Sequence, residues 1–234
     1  MLELNQIQKA FGGVTALASV DLSVSDGEFV SLVGPNGAGK TTLINIITGA
    51  LRPDGGQVLL DGQSLNRVPA YKRSRYGVVR TFQSPRMFRR LTVRQNILAS
   101  PRVHAGANNE DFDEIVEALQ LTSRLDARTD ELNVVDRHRI EIARAILMQP
   151  SLLLLDEPTA GMAESEARHV INVISARQGA AGFGILLIEH NFRLVKEVSD
   201  RLAVLDFGRL IHTGPPAEVE KNERVVEAYL GKRS

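Results

Sequence analysis

The sequence predicts an α/β protein with a mainly parallel central sheet. Three observations carry that expectation. Apolar runs at Phe29 to Val33, Leu152 to Leu155 and Ile185 to Ile188 have strand length and little alternation, as strands covered on both faces should. Segments of helical periodicity lie between the runs, and that succession argues for crossover connections. The first run leads directly into a glycine-rich loop, Gly34 to Gly39, with a helical pattern behind it.

Taken in order, Leu2, Leu4 and Ile7 alternate loosely. Val20, Leu22 and Val24 alternate cleanly with Asp21, Ser23 and Ser25, the pattern of a half-buried strand, and Asp26-Gly27 is a turn. From Lys40, the residues Leu43, Ile44 and Ile47 share one helical face and Gly49 stops it. Pro53 to Gly56 turns into a short strand, Gln57 to Leu60. Between Ser84 and about Ala127 the chain becomes rich in arginine and then in acid. There Phe112, Ile115, Val116 and Leu119 form an amphipathic stripe, which predicts a small helical insertion capped through Asn108-Asn109-Glu110. Helices are expected over Arg137 to Met148 and near Glu164 to Arg177, the latter followed by a loop, Gln178 to Gly182. Another helix carries Phe192, Val195 and Val198. Leu202 to Leu205 then pairs with Leu210-Ile211 across Phe207-Gly208, and a last helix runs from about Ala217 to Leu230. The run Lys72-Arg73-Ser74-Arg75 reads as a solvated basic face. His104, His138, His169 and His212 read as solvated side chains without the spacing of a zinc site.

The chain's 234 residues suit one large domain or a core with a built-in subdomain. Lysine plus arginine equals aspartate plus glutamate at 28 each, which argues against nucleic acid as a partner. There is no cysteine, hence no disulfide framework or thiolate metal site. No apolar run approaches the roughly 20 residues of a spanning helix, and the start has no basic region leading into an apolar one. A soluble, cytoplasmic protein is expected, with any membrane role reached through a partner.

The strongest chemical signal is Gly34-Pro35-Asn36-Gly37-Ala38-Gly39-Lys40-Thr41, a full phosphate-loop pattern placed between a strand and a helix. Glycines let successive N–H groups wrap anionic oxygens, and the helix start adds its positive end. Lys40 supplies a charge to the outer phosphates, and the Thr41 hydroxyl is placed for Mg²⁺. A dinucleotide fingerprint does not fit, because the glycines at 34, 37 and 39 have the wrong spacing. The second signal is the buried run Leu152 to Leu155 ending in Asp156-Glu157. The aspartate can hold the metal through water, and the glutamate can orient or deprotonate an attacking water. The third, Ile188-Glu189-His190, puts a histidine at another strand end, where it can bond a γ-phosphate.

With these motifs in order, the chain resembles the ATP-binding subunits of ABC transporters over essentially its full length, 1–234. Within that group it is similar to those of branched-chain or hydrophobic amino acid importers, through Gly77-Val78-Val79-Arg80-Thr81-Phe82-Gln83, Ile188-Glu189-His190 and Val225 to Gly231. The ATP-binding subunit of lipopolysaccharide export is a near relative. The resemblance implies a P-loop NTPase fold of ABC type, with an antiparallel β subdomain and a helical subdomain inserted at about 84–148. It implies ATP and Mg²⁺ as ligands and a head-to-tail dimer with ATP between subunits. ATP would contact Phe11, through adenine stacking, and Gly34, Pro35, Asn36, Gly37, Ala38, Gly39, Lys40, Thr41 and Thr42. Thr41, Gln83 and Asp156 would serve the metal. Catalysis would rest on Glu157, His190, Gln83 and Lys40. Pro85 to Leu91, with Met87 and Phe88 exposed, would grip transmembrane permease subunits at the cytoplasmic face of the plasma membrane, in a system with an external solute-binding protein.

Two stretches depart from the family. Its signature, Leu-Ser-x-Gly-Gln, aligns with Leu132-Asn133-Val134-Val135-Asp136, where Asn133 can still cap a helix. The loop after the catalytic glutamate, normally Ser-Ala-Leu-Asp, aligns with Ala160-Gly161-Met162-Ala163. Residues used on the chain's own nucleotide are intact, and those lent to a partner are degraded. An asymmetric pair with a different ATP-binding subunit is therefore expected, with a homodimer or a weakly hydrolysing regulatory module as alternatives.

Overall fold

The computed structural model describes residues 1–100, 103, 109–219, 221–222 and 224–225. Two sheets organise it. Strands β1 (Leu2–Phe11), β2 (Val14–Val24), β4 (Gly55–Leu60) and β5 (Gln63–Ser64) form an antiparallel sheet in the order β2-β1-β4-β5. The central sheet has the order β10-β9-β3-β8-β7-β6, from β3 (Phe29–Val33), β6 (Val78–Arg80), β7 (Leu152–Asp156), β8 (Gly184–Ile188), β9 (Arg201–Asp206) and β10 (Arg209–Gly214). Neighbours are parallel except β10, which pairs antiparallel with β9 through Leu210 and Leu205, as the hairpin pattern predicts.

The alternation of side chains along a strand explains the apolar runs. Leu153, Leu155, Ile185 and Leu187 join one core, shared with helices α4 (Asn109–Ala118), α5 (Val134–Leu147) and α6 (Glu164–Ala181). Their neighbours Leu152, Leu154, Leu186 and Ile188 join the other, shared with the antiparallel sheet and helix α1 (Lys40–Ile47). With both faces covered, every residue of β3, β7 and β8 is buried. The register then fixes what emerges from the sheet edge. Asp156 pairs with Ile188, so Glu157 and Glu189-His190 leave the sheet side by side. Val33 pairs with Val204, which sets the glycine loop beside the β9–β10 turn.

Other α-helices among the described residues are α2 (Ala70–Arg73), α3 (Val93–Ile97), α7 (Phe192–Val198) and α8 (Pro216–Val219). Two boundaries differ from the sequence expectation. Helix α5 begins at Val134, because the Asn133 side chain accepts the Asp136 N–H at 2.7 Å and caps the first turn. Helix α6 continues to Ala181 through the expected loop. Gly179 alone costs only about 1 kcal/mol against alanine, while Gly182, at φ 73°, closes the helix in the left-handed region. The expected last helix, from about Ala217 to Leu230, is broken: α8 ends at Val219, Lys221 and Asn222 are not helical, and helix is seen again at 224–225. Asn108, His104 and the segment after Val225 lie outside the described residues.

The basic run is not a uniform solvated face. Arg73 is 3% exposed. Its guanidinium donates to the carbonyls of Ile46 at 2.6 Å, Ile47 at 2.5 Å, Leu65 at 2.7 Å and Val68 at 3.0 Å. It thus caps the C-terminal end of α1, where orphan carbonyls and the negative helix end favour a cation. Lys72 and Arg75 are exposed, as expected. The histidine expectation also needs correction: His138 is buried, His169 donates to the Ala118 carbonyl at 2.8 Å, and His212 meets Asn222 at 3.1 Å. Burial lowers the pKa of His138 and favours its neutral form.

Candidate functional site

The glycine loop joins the end of β3 to the start of α1, and its glycines are required by contact as well as by conformation. A β-carbon on Gly34, at φ +150°, would lie 2.0 Å from the Leu205 carbonyl oxygen, and one on Gly39, at φ +108°, 2.6 Å from that of Ala16. The β9–β10 turn braces the loop, with Gly208 N–H donating to the Ala38 carbonyl at 2.9 Å. Lys40 folds back over the loop and is 7% exposed. Its ammonium donates to the carbonyls of Gly34 at 2.7 Å and Pro35 at 2.9 Å. Burial lowers its pKa, and the charges of Glu157 and Asp156 partly oppose that shift. A cleft lined by Ala16, Asn36 to Thr42, Glu157, Ile188 and His190 opens over the loop.

Across this cleft the three strand-end signals converge. Glu157 sits at φ 49°, with its N–H donating to the Ile188 carbonyl at 2.9 Å. One carboxylate oxygen accepts from Gln83 Nε2 at 3.0 Å, and the other lies 2.9 Å from His190 Nε2. A carboxylate, an amide and an imidazole are thereby bonded into one cluster facing Lys40. Asp156 is buried and paired with Arg80 at 2.7 Å, while a second Arg80 nitrogen donates to Asn45 of α1 at 2.6 Å. Phe11 is 47% exposed at the end of β1, so it is not a core aromatic. Lys9 lies 5.4 Å from its ring centre.

Several positioning residues carry no sequence signal. Glu141, 2% exposed on α5, accepts the N–H of Phe82 at 3.1 Å and of Arg86 at 3.4 Å, which fixes the segment carrying Gln83. Burial raises its pKa, opposed by those bonds and by Arg144. Fully buried Asn96 fixes the other end, accepting the Phe88 N–H at 2.8 Å and donating to the Phe88 carbonyl at 3.1 Å. Between them Phe88 is 57% exposed, as expected, but Met87 is half-buried against the helical core. In the signature position Val134 is exposed. Asp136 is buried and lies 3.7 Å from Arg139, which reaches Glu166 at 3.5 Å.

Comparison with known proteins gives this geometry its family. The ABC transporter family matches residues 17–160, and the branched-chain amino acid ATP-binding cassette transporter family matches residues 209–233. The chain is 37% identical to the high-affinity branched-chain amino acid transport ATP-binding protein LivG of Escherichia coli (strain K12), covering 99% of this chain and 98% of that protein. It is 32% identical to the lipopolysaccharide export system ATP-binding protein LptB of Haemophilus influenzae, over 100% and 98% of the two chains. The crystal structure of MJ1267, an ATP-binding cassette of an ABC transporter in its ADP conformation, superposes with a TM-score of 0.86 at 32% identity, covering 99% of both chains. The chain belongs to the ABC transporter family and is one of its ATP-binding cassettes.

Proposed function

We propose that this chain hydrolyses ATP to power uptake of branched-chain or other hydrophobic amino acids, from the cytoplasmic face of the plasma membrane. The observation that carries the hydrolytic reading is the Gln83–Glu157–His190 cluster held opposite Lys40. The amino acid reading is supported by the match at residues 209–233 and by the nearer likeness to LivG than to LptB.

In this reading the loop N–H groups from Gly34 to Thr42 and the Lys40 ammonium bind the phosphates, and Phe11 stacks on adenine. Glu157 takes the proton of the attacking water, while Gln83 and His190 hold the carboxylate and the water in line. Thr41, Asp156 and Gln83 offer hard oxygen donors of the kind Mg²⁺ accepts beside phosphates. When bound, the ion would neutralise charge developing on the phosphate oxygens. Arg80 occupies one side of Asp156 and fixes the orientation of its carboxylate for that role.

The permease groove is supported by the exposure of Phe88 and by a cavity whose lining includes Phe82, Arg86 and Met148. Permeases, a second ATP-binding chain and an external solute-binding protein complete the proposed system. The second chain is a different one, because Val135, in place of the signature glycine, adds bulk at the helix start that approaches the partner's phosphates. Asp136 contributes less repulsion than its position suggests, being buried beside Arg139. Uptake of labelled leucine by cells deleted for this chain tests the proposal. Re-expression should restore leucine uptake and leave ribose uptake unchanged. Normal leucine uptake in the deleted cells would overturn the solute assignment.

A further inference from the structure

Glu157 occupies a backbone conformation that non-glycine residues rarely adopt, at φ 49°. Such strain persists only where the surroundings over-determine it. One fastening is the backbone bond from Glu157 N–H to the Ile188 carbonyl at 2.9 Å. Another lies two residues further on: the Thr159 hydroxyl donates to Glu189 Oε1 at 2.6 Å. Thr159 is buried, and burial raises the pKa of Glu189, opposed by the Thr159 bond. A short bond to a carboxylate in such a site is stronger than a neutral one.

Resting on the hydrolytic reading of Glu157 and His190, we propose that Glu189 is a positioning residue for the reaction. Through Thr159 it ties the loop carrying Glu157 to the loop carrying His190, so base and histidine keep one relative geometry. The same tie reaches the partner-facing stretch Ala160 to Ala163. Met162 N–H donates to the Thr159 carbonyl at 3.1 Å, so docking of a second chain bears on the tie.

The test uses the assembled transporter complex and measures ATP turnover, nucleotide affinity and melting midpoint together. Glu189→Leu and Thr159→Val should each lower kcat about tenfold, since misplaced catalytic groups are costly even at small displacements. ATP affinity should stay within about twofold. The double variant should be no slower than either single one, because both remove the same bond. Glu189→Gln keeps the acceptor and should recover at least half of the turnover. Thr159→Val is nearly isosteric and carries the test if Glu189→Leu does not fold. Unchanged kcat, additive losses, or Glu189→Gln as slow as Glu189→Leu would each overturn the tie. A parallel fall in affinity and melting midpoint would make it merely structural and overturn it as well. Glu157→Gln, run alongside, separates the two readings. If it abolishes turnover while Thr159→Val leaves kcat unchanged, the tie fails and the hydrolytic reading stands.

Discussion

Replacing Arg73 by methionine removes a cation that bonds four carbonyl groups and has no exposed face. Hydrogen bonds from a charged donor contribute about 1.5–3 kcal/mol each. At the lower end the four bonds are worth about 6 kcal/mol. Against them stands burial, which pushes the guanidinium pKa down to about 10, a desolvation cost of about 3 kcal/mol. The net loss is therefore about 3 kcal/mol, near the lower limit for stripping one partner from a buried charged contact. In a domain of this size that lowers the melting midpoint by about 6–12 °C. Thermal melts followed by far-ultraviolet circular dichroism give the value directly. Lys72→Ala and Arg75→Ala serve as controls, expected within about 0.5 kcal/mol of the parent. A midpoint for Arg73→Met no further displaced than those controls would refute the capping account of α1.

Further outcomes follow from the same geometry. Lys40→Ala should weaken ATP binding from about tenfold to over a hundredfold, through loss of one charge-assisted contact, and calorimetric titration reads the change. The Glu28 carboxyl is held below the ordinary glutamate value of 4.5, because hydrogen bonds from Arg201 and the Ser25 N–H outweigh the effect of burial. Its folded pKa is thus the lower one. Its contribution is complete above 4.5 and fades as pH falls through the folded value. Glu28→Gln should accordingly flatten the acid limb of the urea midpoint. An equal pH slope in that variant would exclude the pair as its source. Restoring Val135 to glycine and Asp136 to glutamine should raise turnover of the chain without a second ATP-binding subunit. Brisk, cooperative hydrolysis by the unmodified chain alone would contradict the asymmetric pair.

What was legible in the sequence had a physical period or a full motif. β3, β7 and β8 were readable because burial on both faces writes a continuous apolar run. The glycine loop was readable because close backbone approach leaves only glycine at Gly34 and Gly39. Helix ends were less so: one side chain, Asn133, moved the start of α5, and Gly179 mimicked a stop that Gly182 supplies. Arg73, Glu141 and Glu189 were opaque for a different reason. Their roles depend on groups brought near by the fold: carbonyls at the end of α1, N–H groups at Phe82 and Arg86, and the Thr159 hydroxyl. No local pattern in the chain announces those meetings.

The central claim is that Glu157 drives ATP hydrolysis in a cleft built by this chain. Phosphate release by the complex assembled with its permeases, at saturating Mg·ATP, tests it most directly when the parent is set against Glu157→Gln. The account predicts ATP affinity within about twofold and turnover lower by about 10²–10⁴, because the amide accepts a hydrogen bond but takes no proton. Turnover equal to the parent would contradict it.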